Sequence, residues 1–222
     1  MLSTQVLPES YKLYGDFTPD KLKKAVWVVS LVALVILSAS YAFFYKLASL
    51  LHPGFQSTKS VHFEISFERL WSVLTILVLL LVLFILHEFI HTFYLWIYTG
   101  KRPVIRATLN WGGGLYVRLP SWYLPRNAFL IVNLAPVCLI TLVGFLLIFV
   151  IKQSSLGLLI FCLAVHLAGA TGDLASSVFI FLQPSSVYLT TDGLIYTNGS
   201  EALPKWKQKL RTALLTVLDR LK

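Results

Sequence analysis

The run His87-Glu88-Phe89-Ile90-His91 has the residue types and spacing of a hydrolytic metal site. Histidines four residues apart leave one face of a helix about one turn apart, so both imidazoles can reach a single cation. The glutamate between them points to the side, where it can take a proton from metal-bound water. Two nitrogens and an oxygen suit a borderline-soft ion, and Zn2+ is the ion expected. Chance should give this pattern in roughly one chain per hundred of this length, and more rarely inside an apolar segment. The competing reading is a polar cluster that joins helices. Three ionisable groups within five residues of hydrocarbon are a costly way to achieve that.

A catalytic zinc site needs a third protein ligand and an open position for water. Glu88 and Asp173 are the acidic residues within the long apolar segments, and Asp173 follows the small residues Gly169-Ala170-Thr171-Gly172. It is the candidate third ligand, against a carboxylate that merely faces a wet cavity. His166 is the rival, two turns away on a similar face. Asn133, in Asn133-Leu134-Ala135-Pro136, has an amide suited to a substrate carbonyl or a developing oxyanion, or to a bond between helices.

The elements that must position these groups are membrane helices. The chain has 222 residues, of which 57% are hydrophobic and 13% charged, and its mean hydropathy is +0.75. That excludes an ordinary soluble domain. Four segments reach the ~20 apolar residues that a crossing helix needs: 25–45, 71–99, 127–151 and 155–182. Ser38-Ala39-Ser40 resembles a signal-peptidase site, but the acidic residues Glu9, Asp16 and Asp20 upstream make the first segment a true span. Lysines and arginines cluster before the first span (Lys12, Lys21, Lys23, Lys24), between the second and third, and after the fourth. The positive-inside rule then puts both termini and the middle loop in the cytoplasm of a multi-pass cell-membrane protein. His87–His91 precede Tyr98 by 7–11 residues, and Asp173 precedes Gln183 by ten. At 1.5 Å per residue, both sites lie roughly 10–17 Å inside the same interface.

Around this core, 25–182, lie an N-terminal segment, 1–24, and a C-terminal region, 183–222. Residues 104–119 alternate apolar and polar around Gly112-Gly113-Gly114, which predicts a cytoplasmic hairpin; Asp192-Gly193 predicts a second, over 186–197. The first is a candidate edge for an extended substrate strand. Trp206, Leu210, Leu214, Val217, Leu218 and Leu221 fall at helical spacing in a basic tail, as in an interfacial helix on anionic lipid. The fold class is therefore all-α with two hairpins. The formal charge of +9 reflects topology and lipid contact, not nucleic acid. Cys138 and Cys162 sit in separate apolar runs and predict no disulfide.

The spacing of His87-Glu88-x-x-His91 and a later in-span aspartate resembles the site-2 protease group of intramembrane zinc metalloproteases. A closer resemblance, over about Trp71–Tyr196, is to membrane proteins described as "putative zincin peptidases". It rests on the motif helix, Asn133-Leu134-Ala135-Pro136, Gly172-Asp173 and Thr191-Asp192-Gly193. The resemblance implies His87, His91 and Asp173 as zinc ligands, Glu88 as general base, and membrane-protein or peptide substrates. The chain departs from the site-2 pattern, which holds asparagine and aspartate in one motif; here they lie in different spans. The alternatives are a non-catalytic metal-binding membrane protein, a pseudoprotease or adaptor, which would not need Glu88, and a small transporter, for which no internal repeat is visible. Oligomeric state is not legible.

Overall fold

A computed structural model describes residues 3–16, 26–55, 67–108 and 114–220. The glycine turn expected at 112–113, Lys21, Lys23, Lys24 and Leu221 lie outside the described residues.

Among the described residues, three helices are long and apolar enough to cross a bilayer. They are α1 (Val26–Leu51), α2 (Phe67–Thr99) and α3 (Arg126–Leu147). Large apolar side chains stand exposed along them, among them Leu31, Val35, Leu77, Val82 and Val143. In water such surface costs about 25 cal/mol per Å2, a penalty that hydrocarbon removes. Hydropathy predicts a single fourth helix over 155–182, but the chain forms two, α4 (Gln153–Gly169) and α5 (Thr171–Phe181). The pair reaches membrane-spanning length only if taken together. Ala170, at φ −78° and ψ 7°, interrupts the helix. Its N–H donates to the His166 carbonyl, and Thr171 Oγ1 donates to the Ala168 carbonyl. These bonds close the end of α4 and let α5 begin afresh.

The described residues pack as two compact units. One comprises Leu31–His87 and Pro136–Thr171. Its core joins Phe44 and Ala48 of α1, Ile148 just past α3, and Leu156, Ile160 and Leu163 of α4. His52 Nε2 donates to the Ile148 carbonyl at 2.8 Å. Gly144 lets α3 and α4 come together, because a methyl built there would stand 2.2 Å from Leu163 Cδ2.

The other unit comprises Met1–Ser30, Glu88–Ala135 and Gly172–Lys222. Both predicted hairpins are present in it. Strands β2 (Val104–Thr108) and β3 (Gly114–Arg118) pair antiparallel, Val104 opposite Arg118. Strands β5 (Tyr188–Leu189) and β6 (Leu194–Thr197) meet across a turn in which Gly193 takes φ +83°. The Gly193 N–H donates to the Thr190 carbonyl, and Thr190 N–H to Leu194, a turn closed by a left-handed residue that glycine supplies without strain.

β2 and β3 form a two-stranded sheet of their own, whereas the second hairpin belongs to a larger, four-stranded sheet. Its order is β1-β6-β5-β4, all antiparallel, with β1 (Lys12–Asp16) and β4 (Leu124–Pro125) at its edges. The segments 1–24 and 183–222, which composition sets apart, thus share one sheet. β4 leads directly into α3, and Arg126 N–H donates to the Val187 carbonyl. α5 ends at Phe181, and Phe179 and Ile180 pack on Val187, Leu189 and Ile195. Helix α6 (Lys205–Arg220) begins against this end: buried Lys207 donates from Nζ to the Phe181 carbonyl at 2.9 Å and lies over the Phe181 ring. A cation there satisfies one of the open carbonyls at the C-terminus of α5.

The packing at Gly144 makes a direct prediction. Gly144→Ala and Gly157→Ala both gain helix propensity, so the difference between them reports packing alone. Gly144→Ala should lower the thermal midpoint in detergent relative to Gly157→Ala, whose methyl meets nothing within 4 Å, by about 1–3 kcal/mol of overpacking. Equal midpoints would show that α3 and α4 have room to spare.

Candidate metal centre

Helix α2 carries the motif on its buried face. His87, Glu88 and His91 are each about 8% exposed, while the intervening Phe89 is 59% exposed. Each of the three offers one ligand atom, and these atoms lie within 4.8 Å of one another, close enough to hold a metal ion. That proximity is a property of the helix itself, which turns 100° per residue.

The sheet sets the height of the other groups. From Arg126, pinned to β5, seven residues of α3 lead to Asn133, about 10 Å along the helix. From Phe181, eight residues of α5 lead back to Asp173, about 12 Å. Glu88, His91, Asn133 and Asp173 accordingly line one cavity of about 190 Å3, with Leu95, Val117, Phe129, Val132 and Thr191 completing its wall. Thr191 also fastens the chain beside β3. Leu119 N–H donates to its Oγ1, and Arg118 holds Asp192 through two parallel nitrogen–oxygen contacts of 2.7 and 3.0 Å.

His91 is oriented by a carbonyl that proline has released. Pro136 has no N–H, so the carbonyl four residues before it, Val132, loses its helical partner. That carbonyl accepts from His91 Nδ1–H at 2.8 Å instead. A carbonyl oxygen can only accept, so in the neutral ring Nε2 carries the lone pair. His91 Nε2 faces Asp173 Oδ2 at 3.6 Å, longer than the ~2.8 Å of a charge-assisted hydrogen bond. Two ligands bound to one zinc at about 2.0–2.1 Å in a tetrahedron stand about 3.3 Å apart. The pair therefore has the chemistry and nearly the spacing of two ligands of a single cation.

Asp173 lies in the first turn of α5, not in mid-helix. Its negative charge meets the positive end of that helix dipole. The Asn133 amide reaches the same turn: Nδ2 donates to the Asp173 carbonyl at 3.3 Å and to the Ser176 hydroxyl, with Ser177 Oγ at 3.4 Å. In the unit that holds α4, buried His166 sets its ring edge-to-face against His87, with centroids 5.3 Å apart. Sequence reasoning named His87, His91, Asn133, His166 and Asp173 but missed Ser176, Ser177 and the roles of the Val132 carbonyl and Pro136. Its available signal was the proline four residues after Val132.

Residues 80–188 match a family model described as "Putative zincin peptidase". The matched stretch contains His87, Glu88, His91, Asn133, His166 and Asp173. It points to a metallopeptidase and to zinc. No curated protein and no solved structure matches the chain.

The proline dependence can be tested directly. Pro136→Ala restores a helical donor to Val132 and loosens the hold on His91. Zinc affinity, read by chelator competition, should fall about 10- to 100-fold, the usual loss for an outer hydrogen-bond partner of a ligand histidine. Unchanged affinity would mean that the Val132 carbonyl does not orient the ring.

Proposed function

We propose that this chain is a zinc-dependent intramembrane peptidase of the site-2-protease kind. In this reading it hydrolyses peptide bonds of membrane-protein substrates near the cytoplasmic side of the bilayer. The observation that carries the reading is the 3.6 Å approach of His91 Nε2 to Asp173 Oδ2, at ligand spacing, beside a glutamate that metal binding alone does not require. The "Putative zincin peptidase" match over 80–188 and the three apolar helices of spanning length support it. The concentration of lysine and arginine in the loop after α2 and in the tail supports the orientation.

His87, His91 and Asp173 would hold Zn2+. When bound, the ion supplies a Lewis acid that polarises the scissile carbonyl and lowers the pKa of water towards neutrality. Glu88 receives the proton of the attacking water and delivers it to the leaving amine. Asn133 serves as a positioning residue: its amide fastens the first turn of α5 and so sets Asp173. Leu95, Val117, Phe129 and Val132 give the cavity apolar walls, which strengthen charge interactions inside it.

The purified chain should carry about one zinc. His87→Ala, His91→Ala and Asp173→Ala should lose it, and Glu88→Gln should keep it. In cells, new N-termini within membrane proteins should arise with the wild type and fall about 10²- to 10⁴-fold with Glu88→Gln. A wild type without transition metal, or termini indifferent to Glu88→Gln, overturns the reading. Loss of zinc in His166→Ala but not in Asp173→Ala would transfer the third ligand to His166.

A further inference from the structure

The face of α2 opposite the motif ends in a second feature. Taking 100° per residue, Phe89, Phe93 and Trp96 lie about 140–160° round the helix from His91. They are 59%, 43% and 47% exposed. At Thr99 the helix stops. Gly100 adopts φ +67° and donates its N–H to the Trp96 carbonyl, and Lys101 N–H donates to Thr99 Oγ1. A left-handed glycine with this bond turns the chain out of the helix axis. The return brings Arg102 and Pro103 beside the aromatic face. Together with Thr92 they enclose a groove of about 380 Å3.

The groove has apolar sides and one cationic side chain, Arg102, in its lining. Arg102 is exposed, and among the described residues no carboxylate pairs with it. The distance from Phe89 to Thr99 is ten residues, about 15 Å along the helix. Trp96 lies near the helix end, the depth at which tryptophan collects at a membrane interface. An aromatic trough running into the hydrocarbon below a guanidinium complements a molecule with an acyl chain and an anionic phosphate head. The planar donor fork of arginine suits phosphate oxygens.

We infer that this groove is a binding site for one anionic phospholipid, its acyl chain along Phe89, Phe93 and Trp96 and its phosphate on Arg102. The inference requires the chain to reside in a bilayer, and it stands whether or not the chain is a peptidase. Trp96 is the reporter. The full chain is reconstituted in vesicles of dibrominated phosphatidylcholine with rising fractions of dibrominated phosphatidylglycerol, and again with bromine on only one of the two lipids. Trp96 fluorescence is taken as the difference from Trp96→Phe.

Phosphatidylglycerol should quench Trp96 as though enriched about fivefold over its bulk fraction, the attraction of one basic side chain for anionic lipid. Arg102→Gln should remove the enrichment, and Lys209→Gln, which removes an equal charge elsewhere, should keep it. Quenching that follows bulk composition in the wild type overturns the inference. So does enrichment that survives Arg102→Gln, which would reflect general surface charge. Failure of any brominated lipid to reach Trp96, with the chain running as a dimer, would mean that a second copy covers the groove and would also overturn it.

Discussion

A histidine in a hydrocarbon span has two ring nitrogens to satisfy and no bulk water to satisfy them. For His91 the chain supplies one partner by withholding another. Proline at 136 denies the Val132 carbonyl its helical donor, and the imidazole takes that place at 2.8 Å. The other nitrogen is thereby turned towards Asp173. Two deficits that would each be expensive in an apolar environment, an orphaned carbonyl and a buried ring N–H, cancel each other. What remains is a lone pair opposite a carboxylate at 3.6 Å, an arrangement that would suit a cation.

The rest of the second unit holds that opposition at the right height. A sheet outside the apolar helices fixes where α3 begins and where α5 ends, so the site is measured from the sheet on both sides. Lys207 and the Arg118–Asp192 contact secure the neighbouring chain from outside. The carboxylate belongs to a short helix that starts beside the cavity, which gives it the positive end of a helix dipole for company. α2 uses its two sides differently: ionisable groups face inward at 87, 88 and 91, while aromatic groups face outward at 89, 93 and 96.

Much of this was legible in the residues. Apolar runs located α1, α2 and α3, with ends off by up to six residues, because a bilayer imposes a length that composition reveals. Asp192-Gly193 identified its turn, since glycine accepts the φ that the turn demands. The break at Ala170 was not legible, because hydropathy runs smoothly through it and no proline marks it. β1 escaped because Lys12–Asp16 is five residues long and finds its partner in β6, far along the chain. The sequence named Glu88, His91, Asn133 and Asp173, which the fold brings to one cavity. Its internal order was not legible, because Pro136 signals that the Val132 carbonyl is released but not which donor takes it.

The pairing of β1 with β6 has a consequence for biosynthesis. Lys12 pairs with Thr197, so β1, the first made of the described strands, waits while the helices between them are synthesised. At 5–20 residues per second the wait is roughly 10–40 s. Thr191, on the connection into β6, belongs to the cavity wall, so a nascent chain has its histidines in place long before it has an enclosed chamber. The sheet, and the part of the cavity wall that Thr191 contributes, can be completed only once residue 197 has been made.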